Sequence, residues 1–260
     1  DIIFCEKCII AYNKFHVNPK KLFPKSYHYR SNLTKDVLNG MEELVLDTKR
    51  SFGCLENKKV LDIGCNDGSL LNFFKSHGAM TIGVEPTNAC RYISKHKIYN
   101  NFFNTTVSKK IKKDFGNIDF IVFTNVFAHI NNLKKLISDL KIIISNQTNI
   151  IIENHYLGSV IDSNQFDTFY HEHPRTYSLT SLIKISELLG MKLSHFKFPK
   201  RYGGNIRVIF SSLKQNPILK KNIEKEKLFF TLFKNNYNKF KNWVELKKKQ
   251  INKLNYNYGL

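Results

Sequence analysis

No part of the 260-residue chain limits its fold as sharply as "KKVLDIGCNDGSLLNFFKSHG", residues 58 to 78. A short apolar run (Val60, Leu61, Ile63) passes through a glycine-rich turn into an amphipathic helix that stops at Gly78. The next run, "MTIGVEP", reads as a second strand. A strand, a helix and a strand of this length bury their apolar faces best as a parallel unit with the helix packed on the sheet.

The same alternation continues downstream. Residues 90 to 96 fit a helix, and "IYNNFFN" a third strand or its loop. "IDFIVFTNVFAHI" is apolar without a break, as a strand buried on both faces must be. "NNLKKLISDLKIIIS" follows as a helix and "TNIIIENHY" as a fifth strand. After "SLTSLIKISELLG", a helix with a glycine stop, "MKLSHFKFP" and "NIRVIFSS" form a hairpin through "KRYGG". The expected fold is α/β and Rossmann-like: an open, mostly parallel seven-stranded sheet, helices on both faces, and a C-terminal antiparallel hairpin. Residues 31–213 make this domain, with Ser31 or Asn32 capping its first helix. Residues 1–30 read as irregular and aromatic-rich, and 214–260 as helical and basic.

Glycines allow the turn after Ile63 to approach a ligand, and the helix start behind it favours a polar or anionic group. Glu85 ends the second strand 23 residues after Asp62, where an acid can take both hydroxyls of a ribose. The turn is "DIGCNDG". It lacks the third glycine of a dinucleotide fingerprint and the GKS/T of a P-loop. An acid on the strand just before the glycines suits the amino-acid end of S-adenosylmethionine. A glycine turn in another Rossmann-like fold is the alternative. The cofactor candidates are Asp62, Gly64, Asn66, Asp67, Gly68 and Glu85, with Asn125 after the fourth strand.

The net charge of +20 invites a nucleic-acid reading. The lysines are spread along the chain, however, with a dense cluster only near the C-terminus. The charge is read as a solvated surface that assists an anionic substrate, and nucleic acid is not the expected partner. No apolar run is long enough for a membrane span. Five cysteines and no secretory signal point to reduced thiols and a cytoplasmic protein. Cys5 and Cys8 form a lone CxxC pair, half of what a structural zinc takes. The chain opens at an Asp in mid-pattern and is expected to be a piece of a longer protein.

"VLDIGCNDGSLL", "GVEPTN", "NVFAHI", "QFDTFYHEHPRTYSLTSL" and "RYGGNIRV" together resemble the nucleotide-sugar C-methyltransferases, a class I S-adenosylmethionine-dependent family acting on 4-keto-deoxysugars. The resemblance runs in order from Cys5 to about Ser212. It implies an N-terminal zinc module, of which residues 1–30 with Cys5 and Cys8 are the remnant. It also implies a C-terminal substrate domain, whose helical start is 214–260, and a nucleotide-sugar partner. The oligomeric state stays open.

Methylating carbon requires a nucleophile made by removing a proton beside a ketone, and then a donor for the enolate oxygen. Tyr170, His171, Glu172 and His173 supply a phenol, imidazoles and a carboxylate for that work. In an extended segment Tyr170 and Glu172 would face away from the two histidines, and a turn before Pro174 would break that alternation. The resemblance implies that Tyr170, Glu172 and His173 face the active site, with His173 as base and His129 as a further member. His129 also follows the carboxyl end of the fourth strand, where open α/β sheets place ligands. His171 reads as structural or exposed, and His155 and His195 as ordinary packed or surface residues. Tyr27 and Tyr29 resemble a segment that reaches over the sugar pocket, or else pack on the core. Arg207 meets a substrate phosphate or is a surface residue. The alternative function is an S-adenosylmethionine-dependent RNA or other small-molecule methyltransferase.

Overall fold

The computed structural model describes residues 1–212 and 218–258. The chain runs β1 (Ile2–Cys5), β2 (Ile10–Asn13), α1 (Pro19–Leu22), α2 (Lys35–Phe52), β3 (Lys59–Ile63), α3 (Ser69–Ser76), β4 (Met80–Val84) and β5 (Lys97–Tyr99). It continues through α4 (Thr105–Phe115), β6 (Phe120–Thr124), α5 (Leu133–Ile143), β7 (Asn149–His155), α6 (Leu157–Asp162), β8 (Arg175–Tyr177) and α7 (Leu179–Leu188). Strands β9 (Lys192–Lys197) and β10 (Asn205–Ser211) and helices α8 (Leu219–Thr231) and α9 (Phe233–Tyr258) complete it. The expected domain boundary between 213 and 214 lies outside the described residues.

Seven strands form one sheet in the order β5-β4-β3-β6-β7-β10-β9. Five are parallel, and β10 runs antiparallel to both β7 and β9, as the hairpin reading requires. The apolar runs of β3, β6 and β7 are buried because helices cover both faces. On one side α4, α5 and α7 pack over Leu61, Ile121, Phe123 and Ile150; on the other α2 and α3 cover Val60, Val122 and Ile151. Phe123 is fully buried, so its truncation to Ala would cost about 3–5 kcal/mol. From β3 the chain builds one half of the sheet outward through β4 and β5; β6 lies on β3's other side. The carboxyl ends of β3 and β6 therefore flank the topological switch point, the natural ligand crevice.

Three local expectations need correction. Residues 2–13 are an antiparallel hairpin, and β2 also pairs with β8 to make a separate three-stranded sheet. The hairpin is too short for periodicity to reveal, and its partner lies far along the chain. Helix α2 starts at Lys35 behind Thr34, because Ser31 and Asn32 instead spend their backbone N–H groups on Asn66 Oδ1 and Asp67 Oδ2. Residues 88–90 form only a 3-10 turn, held by the Thr87 hydroxyl, and not a helix reaching residue 96. Helix α8 docks on the core through buried Glu226, which accepts the Leu179 and Thr180 N–H groups at the start of α7 and the Tyr156 hydroxyl. That placement sets a carboxylate at a helix N-terminus, where it satisfies orphan donors. No helix among the described residues is long and apolar enough to cross a membrane.

Candidate active site

A cavity of ≈ 430 Å³ opens over the carboxyl ends of β3, β4 and β6, roofed by the segment from Pro19 to Ser31. Its floor is the turn after β3. Gly64 has φ +80° and a Cβ there would sit 2.6 Å from Val126, so this position needs glycine on both counts. Asn66 also takes the left-handed region, at φ +50°. Its N–H donates to Glu85 Oε2 at 3.0 Å, and the Thr87 N–H donates to Glu85 Oε1 at 2.8 Å. Two backbone donors thus fix the Glu85 carboxylate at the cavity wall.

Asp62 is buried at the end of β3 and lines the same cavity. Burial, with Glu85 and Asp67 nearby, pushes its carboxyl up to about 8. A pair of acids in this state fits a cationic ligand, which would favour the ionised form of Asp62 while Glu85 takes ribose hydroxyls. That donor set suits S-adenosylmethionine. Asp67 and Gly68, read from sequence as ligand contacts, do not line the cavity. Asp67 caps Ser69 through its N–H (3.1 Å) and accepts from Asn32, while Gly68 supplies the left-handed cap of α3. They shape the loop.

Beyond β6, Asn125 lines the cavity at φ +54°, its Oδ1 accepting from Asn205 Nδ2 at 3.3 Å. His129, also lining it, places Nδ1 2.6 Å from the Glu172 carbonyl oxygen. A carbonyl only accepts, so this nitrogen carries the proton. Burial lowers the basicity of His129 against the opposing pull of nearby carbonyls.

Tyr170, Glu172 and His173, expected to face the active site, do not line this cavity; they stand behind His129, whose ring packs on that of His173. The four positions are a turn, closed by the His173 N–H on the Tyr170 carbonyl at 3.0 Å, so the strand alternation does not hold. Asn13 of β2 splints this turn, donating from Nδ2 to the carbonyls of Tyr170 and His173, both at 2.9 Å. Glu172 Oε2 accepts from the Tyr27 hydroxyl at 3.3 Å, which links the roof to the turn. The His173 ring lies 5.0 Å from His129, 5.3 Å from His155 and 4.4 Å from Tyr170, centroid to centroid. Burial, then the two neighbouring imidazoles, push His173 down to about 3. Burial raises Tyr170 to about 12, with the Glu172 charge adding to it. His171 is exposed, as expected.

Arg207 is the clearest miss. It neither reaches the cavity nor lies on the surface. It is 3% exposed and paired with Glu153 (Nε to Oε2, 2.5 Å) and with Asp47 on α2. The arginine that does line the cavity is Arg201, bound to the other oxygen of Glu153. Sequence reasoning also passed over Tyr202, which lines the cavity and holds φ +52° in the "KRYGG" turn, whereas His155, read as an ordinary packed or surface residue, packs on the His173 ring and does not line the cavity. The rule that located His129, a residue at the carboxyl end of a parallel strand, applies equally to His155 at the end of β7. Tyr27 and Tyr29 both line the cavity.

Cys5 ends β1 and Cys8 sits in the following turn, whose Ile9 N–H closes on the Cys5 carbonyl at 2.7 Å. The Cys8 N–H lowers the Cys5 thiol. Among the described residues no group of three or more histidine, cysteine or acidic side chains is arranged to hold a metal. Two thiols alone do not make a tetrahedral site, so no role is derived for zinc.

Residues 35–195 match the family model described as a methyltransferase domain. The chain is 24% identical over 215 residues to C-methyltransferase NovU of Streptomyces niveus, covering 82% of this chain and 51% of that protein. It is 34% identical over 103 residues to an uncharacterized methyltransferase of Bacillus cytotoxicus, covering 39% and 46%. The chain spans about half the length of these curated relatives. The crystal structure of a SAM-dependent methyltransferase from Archaeoglobus fulgidus shares the fold, with a TM-score of 0.50 at 16% identity over 65% of this chain and 93% of that one.

Proposed function

We propose that this chain, which belongs to the methyltransferase domain family, uses S-adenosylmethionine to methylate carbon beside the ketone of a nucleotide-linked 4-keto-deoxysugar. One observation carries this reading: a buried imidazole, His173, held neutral directly behind the cavity wall formed by His129. Oxygen and nitrogen acceptors bring a lone pair to the reaction, whereas a carbon acceptor needs a base to create one. The C-methyltransferase relative and the in-order motif resemblance support the same choice.

In this reading Asp62 and Glu85 hold the cofactor's cationic and ribose groups, with Gly64 and Asn66 giving the backbone surface beneath and Asn125 beside it. The cofactor supplies an electrophilic methyl group when bound. His173 accepts the proton from the carbon next to the ketone once the sugar reaches past the His129 ring that stands between it and the cavity. His129 and Tyr27 bound the space where the ketone sits; each has its own proton committed to Glu172, so their part is to position the sugar and not to donate to its oxygen. Glu172 orients both, through its carbonyl on His129 and its carboxylate on the Tyr27 hydroxyl. Tyr29 and Arg201 bound the sugar side. The helices from residue 219 onward belong to the substrate side, and the free thiols fit a cytoplasmic setting.

The test is the position of the transferred group. The chain is supplied with methyl-labelled (carbon-13) S-adenosylmethionine and a nucleotide-linked 4-keto-6-deoxysugar, and the product is examined by carbon NMR. The label should appear as a methyl bonded to carbon. A methyl on oxygen would reject carbon transfer, and an unlabelled sugar would reject this substrate class.

A further inference from the structure

The two ring nitrogens of His173 have unlike surroundings. Nδ1 lies 3.0 Å from the Thr168 carbonyl, which can only accept, so Nδ1 carries the resident proton. Nε2 is the basic nitrogen, and it faces the Tyr170 hydroxyl at 3.3 Å. The imidazole itself is 7% exposed, whereas Tyr170 is 44% exposed. Every proton that His173 takes from carbon must leave before the next turnover. The His129 imidazole covers one side of the ring and the His155 imidazole another.

We infer that Tyr170 is the proton exit of this site, relaying the proton received at His173 Nε2 to bulk water. The inference rests on the reading of His173 as the base. In the relay step the Nε2–H bond of the imidazolium breaks and that proton bonds to the Tyr170 oxygen. The phenol's own O–H bond breaks at the same time, and its proton bonds to a water molecule. His173 returns to neutral imidazole, Tyr170 is again a phenol, and a hydronium is handed to the buffer; nothing is oxidised or reduced. The hydrogen bond is at the long end for O–H donation, so an approaching C–H group can displace the hydroxyl from Nε2. The proton affinities support the direction of flow. The imidazolium sheds its proton readily, and the phenol, raised to about 12, passes protons on without keeping a charge.

The relay separates Tyr170 from a donor to the enolate, because it acts after the carbon–carbon bond has formed. The test compares the parent chain with Tyr170→Phe, a half-exposed position where only the hydroxyl is lost. With enzyme in excess of a nucleotide-linked 4-keto-6-deoxysugar, methyl transfer in a single turnover should match the parent within about twofold, while steady-state turnover falls about tenfold or more. Added imidazole buffer should restore most of the steady-state rate, as a small acid–base reaching the vacated space. A single-turnover rate that falls as far as the steady state, with no rescue by imidazole, would overturn the relay. A second measurement needs no sugar: nitrogen-15 relaxation dispersion at His173 Nε2 reads how fast that nitrogen gains and loses a proton in the ligand-free chain. Exchange should slow about tenfold in Tyr170→Phe, and equal exchange in both would overturn the proposal. Should the parent fail to act on the ketosugar, the substrate reading falls and the exchange measurement still decides the relay.

Discussion

His129 Nδ1 lies 2.6 Å from the backbone carbonyl of Glu172, a bond that joins the end of β6 to a turn 43 residues further on. It sets the tautomer of the only histidine that lines the cavity among the described residues. It also ties the orientation of that ring to the turn that carries His173. Two segments that read separately in the sequence are thereby braced against each other.

That coupling gives the first prediction. His129→Phe keeps a ring in place but loses the Nδ1–H that holds the Glu172 carbonyl and the unprotonated Nε2. Methyl transfer should fall by about 10²-fold through lost positioning, with S-adenosylhomocysteine affinity unchanged. Titration calorimetry and single-turnover rates measure the two quantities. A variant that loses cofactor affinity and turnover in proportion would place His129 in the cofactor site.

The second concerns the floor of the cavity. Gly64→Ala forces a side chain into φ +80° and into Val126, at a predicted cost of about 1–3 kcal/mol in urea unfolding. S-adenosylhomocysteine affinity should fall with it, because the turn that carries Asn66 must shift. Unchanged affinity would mean that the cofactor does not rest on this turn.

A third follows from Asp62. Its folded value is raised from 3.8 to about 8 by burial, then by Glu85 and Asp67, so between those values the folded chain binds the extra proton. Stability from this group is therefore fully present below 3.8 and is lost as pH rises through about 8. Asp62→Asn should flatten that part of the pH–stability curve of the ligand-free chain. Parallel curves for parent and variant would remove Asp62 as the source.

Arg207 offers the fourth. As one half of a buried pair with Glu153, its replacement by Met should cost about 3 kcal/mol or more, since a carboxylate loses a partner. The double variant Arg207→Met/Glu153→Gln should recover part of that loss. KM for the ketosugar should stay within about twofold in the folded variant, the bound set by a role in stability alone. A large rise in KM with little destabilisation would return Arg207 to the substrate.

The fold was legible because β3, β6 and β7 carry unbroken apolar runs between amphipathic helices, and that pattern has few three-dimensional solutions. Asp62, Gly64 and Glu85 were legible for the same reason: a strand end and a glycine turn constrain the backbone locally. Asn13 and Arg201 were not, since each acquires its part through a partner distant in sequence: Asn13 through the carbonyls of Tyr170 and His173, Arg201 through Glu153. Arg207 misled because strand alternation places its side chain without revealing which helix covers that face. Here α2 covers it, bringing Asp47. The hairpin of residues 2–13 was hidden by its length and by a partner strand at 175–177.

Deuterium wash-in tests the central claim, that this methyltransferase first takes a proton from carbon with His173. The chain, saturated with S-adenosylhomocysteine so that methyl transfer is blocked, is held in heavy water with a nucleotide-linked 4-keto-6-deoxysugar, and the sugar is weighed by mass spectrometry. The account predicts a gain of about one deuteron above the enzyme-free rate with the parent and none with His173→Ala. Equal gain in parent and variant would contradict the assignment of the base, and no gain with the parent would contradict the ketosugar substrate.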